Sequence, residues 1–177
     1  MQKKRPLALC FSGHRPEKLP GKGKDSEPAF CHLLSVLYME IDTALKEGYT
    51  VFYSGMARGI DIWAAKFVIE QRFSHPEIKL ICVIPYKKQN QNFRGTDKWD
   101  YSYVLSEADE VICLNEEYTK SCLRERNEYM VNHSDKLIAV MSNPRSGTGM
   151  TVNMARKKGI DIKKIDINSL SPLFESS

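Results

Sequence analysis

Residues 50–65 read T-V-F-Y-S-G-M-A-R-G-I-D-I-W-A-A, and this stretch decides how the fold is interpreted. The β-branched and aromatic residues at its start, 50–53, are typical of a buried strand. Beyond Arg58, apolar residues recur at the spacing of one helical face, at Ile60, Trp63, Ala64, Phe67 and Val68. The stretch therefore predicts a strand that passes through a glycine turn directly into a helix.

Such a turn is a candidate anion site. Free backbone N–H groups at the start of a helix lie at the positive end of its dipole, where a phosphate is stabilised. Gly55 and Gly59 allow close approach of the backbone or a positive φ, and Arg58 adds a charged planar donor. Asp61 either caps the helix or accepts a sugar hydroxyl. The alternative is an ordinary turn, with Asp61 as a dipole partner and Arg58 in solvent.

The rest of the chain repeats this alternation of short apolar runs with helical periodicity. Further strands are predicted at residues 7–11, 79–84, 110–114, 136–141 and 160–167, the first central and the last at an edge. Helices are predicted at residues 27–47, 58–73, 98–108, 122–132 and 150–158. Alternation of this kind is typical of βαβ units with right-handed crossovers. We therefore expect an α/β, doubly wound, three-layer Rossmann-like fold with a mostly parallel sheet of about six strands, forming one domain over residues 1–177 with its core at 7–167.

Composition sets limits on the function. With 42% hydrophobic and 27% charged residues, the 177-residue chain has the make-up of a globular protein. A net charge of +4 tolerates phosphorylated ligands or nucleic acid without requiring them. Cys10, Cys82 and Cys113 lie in apolar runs and are expected to be buried thiols, and the histidines lack metal-ligand spacing, so no metal is expected. No apolar run has the length of a membrane span or a signal-peptide core, and a cytoplasmic location is expected.

Two other strand ends carry candidate contacts. Residues 12–16, S-G-H-R-P, place Gly13, His14 and Arg15 at the carboxyl end of the first strand, where open α/β sheets bind ligands. The alternative for the polar segment that follows them is a mobile surface loop. Residues 142–149, S-N-P-R-S-G-T-G, predict a second backbone anion nest.

Two further segments, the helix at 122–132 and the polar connection after the strand at 79–84, each have two possible roles. In the helix at 122–132, Arg126 is either exposed or directed towards a ligand. Tyr86, Gln91 and Phe93 either form a wall for a base or belong to a solvated connection.

Three segments together carry a resemblance to a known family: residues 12–16, residues 54–65 and residues 126–140, the last reading R-N-E-Y-M-V-N-H-S-D-K-L-I-A-V. The chain resembles the YpsA-type family of the SLOG superfamily, which includes the DNA-processing protein DprA and the cytokinin-activating nucleotide phosphoribohydrolases. The resemblance implies a Rossmann-like sheet that binds a nucleotide or a derivative at the carboxyl ends of its strands. The residues it places around the ligand are Gly13, His14, Arg15, Ser54, Gly55, Arg58, Gly59, Asp61, Gly147 and Thr148, to which we add Arg126.

Two positions depart from the patterns of these relatives. Ser146 replaces the first glycine of the G-G-T-x-x-T-V turn, and a serine is strained there if the position needs a positive φ. Thr151 stands where the phosphoribohydrolases carry a catalytic Glu. Without a carboxylate to steady an oxocarbenium-like centre, hydrolase chemistry is not inherited with the fold.

Three functions follow as hypotheses. The favoured one is a sensor-like module that binds a small nucleotide (AMP, a dinucleotide or an ADP-ribose-like molecule) without chemistry of its own. The second is an N-glycosidic hydrolase that uses Asp61 or His14 on a bound ribose. The third is a single-stranded DNA binder resembling DprA, against which the acidic stretches at 106–110 and 115–117 argue. A small-molecule nucleotide is the expected partner, nucleic acid is less expected, no membrane partner is expected, and a homo-oligomer stays open.

Overall fold

The computed structural model describes residues 5–170 and contains six strands and five α-helices. The strands are β1 (Leu7–Gly13), β2 (Tyr49–Ser54), β3 (Lys79–Ile84), β4 (Glu110–Cys113), β5 (Lys136–Met141) and β6 (Asp161–Asp166). The helices are α1 (Pro28–Lys46), α2 (Ile60–Gln71), α3 (Gly95–Glu107), α4 (Cys122–Asn132) and α5 (Gly147–Lys158). Short 3-10 turns lie at Pro16–Lys18, Pro20–Gly23 and Ile167–Ser169.

The strands form one sheet in the order β4-β3-β2-β1-β5-β6, and every neighbouring pair is parallel. From β1 the chain winds outwards through β2, β3 and β4, and then returns to the other side of β1 to form β5 and β6. The strand order therefore reverses between β1 and β5. In doubly wound sheets, this reversal opens a crevice at the carboxyl ends of the two strands. The expected α/β Rossmann-like fold is confirmed, with a sheet that is wholly parallel.

Both faces of β1 are covered, because alternate side chains of a strand point to opposite faces of the sheet. Leu9 and Phe11 are fully buried in a cluster built with α1, α2 and α3. Ala8 and Cys10 belong to a second cluster, to which α4 and α5 contribute. The sheet is thus the middle of three layers, and β1 lies at its centre as expected.

Aromatic contacts fix α2 against α1. The rings of Phe30 and Trp63 meet edge to face with their centroids 4.9 Å apart, and Tyr38 stacks on Phe67 at 4.2 Å. Aromatic pairs in these geometries add to the free energy gained by burial. The beginning of α2, which carries the motif at 54–65, is therefore held rigidly beside the carboxyl end of β1.

The starts of two helices and one cysteine differ from the expectations. Helix α3 begins at Gly95, three residues before its predicted start. Helix α5 begins at Gly147, three residues earlier than its apolar periodicity indicates, because Ser146 caps it there. Cys113 is exposed, so the prediction of a buried thiol is wrong for this residue, although Cys10 and Cys82 are buried. Cys113 lies on the edge strand β4, which has a neighbour on one side only. Within residues 5–170, no helix is both long and apolar enough to cross a membrane.

A substitution of Phe52 tests how tightly the core is packed. Its side chain is 0% exposed and its ring centroid lies 6.2 Å from that of Phe11. Phe52→Ala leaves a cavity and is expected to lower the free energy of unfolding by about 3–5 kcal/mol in urea denaturation. The matched control is Phe73→Ala, since Phe73 is 97% exposed and its truncation should change stability by less than about 0.5 kcal/mol. Equal losses in the two variants would contradict this packing.

Candidate functional site

Two adjoining cavities lie at the carboxyl ends of the strands, one beside β1 and β5 and the other beside β2 and β3. The first, which we name the α5 cavity, has a volume of about 470 Å³ and lies between the end of β1, the start of α5 and α4. The second, which we name the aromatic cavity, has a volume of about 490 Å³ and is lined by Tyr86, Phe93 and Tyr118. Arg15 and Arg126 line both cavities. The two cavities therefore form one cleft, with guanidinium groups where they meet.

His14 ties together the strand ends that border the cleft. Its backbone N–H donates to the Val140 carbonyl (3.2 Å), and its Nε2 accepts the Ser142 N–H (3.0 Å). Burial, and then the charge of Lys18, lowers the pKa of the imidazole. His14 is therefore neutral, with its proton on Nδ1 because Nε2 acts as an acceptor. It fixes the loop after β5 in position and also lines the α5 cavity.

The start of α5 presents unpaired amides to the α5 cavity. Ser146 has a φ of −87°, so the strain considered for a serine at this position is absent. Its Oγ accepts the Gly149 N–H at 3.1 Å, as in a helix N-cap. The amides of Gly147 and Thr148 have no acceptor in the described part of the chain. They lie at the positive end of the helix dipole, where an anion is stabilised.

The turn between β2 and α2 is built differently from the expectation. The Met56 N–H donates to Ser54 Oγ (3.3 Å), and the Ala57 N–H donates to Asp61 Oδ2 (3.3 Å). Met56 has a φ of +59° although it is fully buried, and such strained backbone is concentrated at functional sites. The turn therefore uses amides that the sequence suggested were free for a ligand. At the start of α5, by contrast, the amides of Gly147 and Thr148 are free and border the α5 cavity.

Arg126 reaches the β2–α2 turn from α4. Its guanidinium is buried, and Nη1 donates to the Gly55 carbonyl at 2.9 Å, while Nε and Nη2 donate to Asn127 Oδ1. A Cβ atom added to Gly55 would lie 2.8 Å from Arg126 Nε and 3.0 Å from Asp61 Oδ2. Gly55 thus leaves the space that these two buried charges occupy.

Asp61 is a buried carboxyl group that borders the α5 cavity. Desolvation raises its pKa from 3.8 to about 6, and the positive charges of Arg126 and Arg15 only partly oppose this effect. Burial likewise lowers the pKa of Arg126, against the influence of Asp61. At neutral pH, Asp61 is an ionised carboxylate whose one hydrogen-bond donor within residues 5–170 is the Ala57 amide. It retains capacity to accept hydrogen bonds from a ligand.

The other two arginines of the cleft, Arg58 and Arg15, differ in whether a carboxylate balances their charge. Arg58 is paired with Glu17, and its Nη1 lies 3.2 Å from Asp97 Oδ2. Arg15 is exposed and pairs with no carboxylate in the part of the chain that the structure describes. An incoming anion therefore finds the charge of Arg15 available, whereas the charge of Arg58 is already balanced.

The structure brings together most of the residues that the sequence singled out. Those that line the α5 cavity are Gly13, His14, Arg15, Asp61, Arg126, Gly147 and Thr148. Arg58 lines the aromatic cavity, and Ser54, Gly55 and Gly59 lie behind the cleft, where Gly59 (φ +94°) packs on the backbone of His14 and Pro16. Their roles in binding stay predictions.

Sequence reasoning missed several lining residues. Tyr86 and Phe93 line the aromatic cavity, as one hypothesis predicted, but Gln89 rather than Gln91 lines it with them. Gln89 donates to the Gly55 carbonyl (3.1 Å) and accepts from the Tyr101 hydroxyl (3.3 Å). The polar run at 87–92 offers no periodicity that would have distinguished the two glutamines. The other missed residues are Glu17, Lys18, Ala57, Asn92, Tyr118, Leu123 and Asn127.

Thr151, the counterpart of the phosphoribohydrolase Glu, is fully buried, and its hydroxyl donates to the Gly147 carbonyl at 3.1 Å. This side chain stabilises the first turn of α5. The carboxylates that border the α5 cavity are Glu17 and Asp61.

Comparisons with known proteins agree with this architecture. A family model named YpsA and described as the YspA SLOG family matches residues 9–171. A UPF0398 protein of Bacillus cereus (strain G9842) is 28% identical over 155 residues, covering 85% of this chain and 83% of the relative. The SPbeta prophage-derived protein YoqJ of Bacillus subtilis is 33% identical over 124 residues, covering 63% of this chain and 72% of that protein.

Among solved structures, DprA of Streptococcus pneumoniae is similar with a TM-score of 0.61 and 20% identity, covering 94% of this chain and 52% of that one. DprA of Helicobacter pylori, described with its single-stranded DNA binding mode, gives a TM-score of 0.58 and 16% identity, covering 90% of this chain and 65% of that one. This chain thus spans about half to two thirds of the DprA chains. At these identities the likeness shows the fold alone.

Asp61→Asn tests the cost of the buried carboxylate. Between pH 3.8, where the unfolded carboxyl titrates, and about pH 6, the folded state binds more protons, so the contribution of Asp61 to stability falls as the pH rises. Above that window the carboxylate costs roughly 3 kcal/mol. Urea unfolding should find Asp61→Asn more stable than the wild type at pH 7.5, by an amount that shrinks as the pH is lowered to 4.5. The control Asp25→Asn, at an exposed position before α1, should show no such trend, and a pH-independent difference for Asp61→Asn would contradict the assignment.

Gly55→Ala tests the close approach of Arg126. Its methyl group would displace the guanidinium, and we expect a loss of about 1–3 kcal/mol in the free energy of unfolding. Gly147→Ala is the matched control, because nothing lies within 4 Å of an added Cβ atom there and its φ is not in the left-handed region. If both substitutions are equally tolerated, Arg126 does not need the space at Gly55.

Proposed function

The chain belongs to the YspA SLOG family, and from this premise we propose that it binds a small nucleotide in the cleft between β1 and β5, without chemistry of its own. The observation that carries the proposal is the coincidence, in one cleft, of two guanidinium groups that form no ion pair and of unpaired helix-start amides. Arg15 and Arg126 lack a carboxylate partner within residues 5–170, and the free amides of Gly147 and Thr148 border the same α5 cavity.

Phosphate is the ligand group that this arrangement suits. A guanidinium offers planar paired donors to phosphate oxygens, and helix-start amides add hydrogen bonds aligned with the dipole. Lys18 also borders the cavity and adds a further positive charge. Placement at the reversal of strand order supports the same conclusion, since doubly wound sheets bind nucleotides there.

The side chains that line the aromatic cavity are suited to binding a nucleobase. Tyr86 and Tyr118 meet edge to face at 5.6 Å, and Phe93 lines the same space. Flat aromatic side chains stack on bases of any identity, and each stacking contact is worth about 1–3 kcal/mol. A base in the aromatic cavity and a phosphate on Arg15 together account for the shape and the charge of the cleft.

Single-stranded DNA is the second candidate, favoured by one observation beyond the fold. Tyr118 is 61% exposed and lines the cleft together with Arg15, which joins an accessible aromatic ring to a free cation. The H. pylori DprA structure concerns single-stranded DNA binding. The carboxylates of Glu17 and Asp61 in the α5 cavity disfavour a continuous polyanion, so we place a small nucleotide first.

Arg15→Ala tests this function without disturbing the core, because Arg15 is exposed. In isothermal titration with AMP and ADP, the wild type should bind and Arg15→Ala should bind at least about tenfold more weakly, as expected for a lost charge-assisted hydrogen bond. The control Arg156→Ala removes an equivalent charge at the far end of α5 and should bind as the wild type does.

The same experiment with an oligothymidine separates the two candidates. Binding of the oligomer with a steep dependence on salt, together with no binding of AMP or ADP at millimolar concentration, would replace the nucleotide proposal with the DNA one.

A further inference from the structure

We infer that the outer face of α3 is a contact surface for a second copy of this chain, which it joins in a weak symmetric dimer. The inference is independent of the proposed function, because the residues of this face line neither cavity of the cleft. It follows from two exposed aromatic side chains, a cavity beside them and the charge of their surroundings.

The outer face of α3 exposes two large aromatic side chains. Trp99 is 80% exposed and Tyr103 is 44% exposed. They lie four residues apart and therefore on the same side of the helix, whereas Tyr101 and Val104 on its other side are buried in the core. Trp and Tyr are enriched in protein–protein interfaces, where a few such residues carry most of the binding free energy. Two neighbouring exposed rings that the core does not use therefore indicate a contact surface.

A cavity beside Trp99 and Tyr103 has room for a further ring. Its volume is about 560 Å³, and the small side chains of Ser102 and Ser106 complete its wall on α3. Ser106 lies seven residues after Trp99, two helical turns along the same side. Each copy therefore carries both a projecting ring and a recess bounded by small residues, as a surface that binds its own copy requires.

The charges around this cavity favour a second copy as the partner. Lys66 Nζ and Asp100 Oδ1 border the cavity, lie 2.9 Å apart and neutralise each other. A neutral surface meets its own copy without repulsion between like charges. The groove between α4 and α5, by contrast, is lined by three basic side chains and one carboxylate, so two copies would repel each other there.

A two-fold axis through the middle of α3 matches these features. The helices of the two copies then run antiparallel, and residues at equal distances from the axis lie opposite each other. With the axis between Ser102 and Tyr103, Trp99 lies opposite the partner's Ser106, and Tyr103 lies beside the partner's Tyr103. Each indole ring thereby enters the cavity of the other copy, so one contact removes all four rings from water.

The size of this surface indicates that the dimer is weak. Helix α3 has 13 residues and is therefore about 20 Å long. Stable complexes bury about 800 Å² on each partner, which is more than one short helix supplies. We therefore expect an equilibrium between monomer and dimer that depends on the protein concentration.

Sedimentation velocity of the full-length protein from micromolar to millimolar concentration tests the inference. The wild type should shift from monomer to dimer over this range, and its tryptophan emission should move to shorter wavelength as Trp99 leaves water. Trp99→Ala should raise the dimer dissociation constant at least about tenfold, as expected for an aromatic residue at the centre of an interface. Met150→Ala is the matched control, because Met150 is 51% exposed on α5, across the sheet from α3, and this variant should dimerise as the wild type does.

Ser106→Arg is a second variant, which leaves both aromatic side chains in place. The larger, charged side chain fills the cavity opposite the partner's Trp99, so this variant should stay monomeric at concentrations where the wild type is a dimer. Its circular dichroism spectrum should match that of the wild type, since Ser106 is exposed. A wild type that stays monomeric at millimolar concentration overturns the inference. A dimer that persists unchanged in either variant also overturns it, because the dimer must then use another surface.

Discussion

The arrangement of the cleft depends on the buried guanidinium group of Arg126, which lies beside the carboxyl end of β2. Burying Arg126 removes its charge from water, a cost that only well-placed hydrogen bonds and nearby negative charge offset. The Gly55 carbonyl and the Asn127 amide oxygen supply the hydrogen bonds, and Asp61 supplies the charge without forming an ion pair. The absence of a side chain at Gly55 follows directly, since a Cβ atom there would fall between the two charged groups.

Topology then decides what surrounds this guanidinium. Because the strand order reverses between β1 and β5, the loops that leave these strands diverge to opposite faces and leave a gap between them. His14 spans the base of the gap through its hydrogen bond with the Ser142 amide. Arg15 and the first turn of α5 are thereby fixed on its opposite rims, with Arg126 entering from α4.

The turn between β2 and α2 contains two destabilising features that an ordinary turn does not need. Asp61 is ionised at neutral pH although burial disfavours its charge, and Met56 holds a left-handed backbone conformation without being a glycine. Natural proteins retain such costs where function requires them, since most positions elsewhere are free to relax towards stability. Their concentration in residues 54–61 supports the proposal that this motif underlies a binding site.

The fold class, the strand–helix alternation and many of the residues of the cleft could be predicted from the amino-acid sequence. Those features depend on local periodicity and on turn chemistry, which act over a few neighbouring residues. The folded structure determined which turn amides are free, because Ser54 Oγ and Asp61 Oδ2 accept the amides of Met56 and Ala57, while those of Gly147 and Thr148 have no acceptor within residues 5–170. It also decided that Arg58 is balanced and Arg15 is free, since the partners of Arg58 lie about 40 residues away on either side and meet it only through packing. Spacing along a chain does not encode such long-range pairings, whereas the strand order of the folded sheet does.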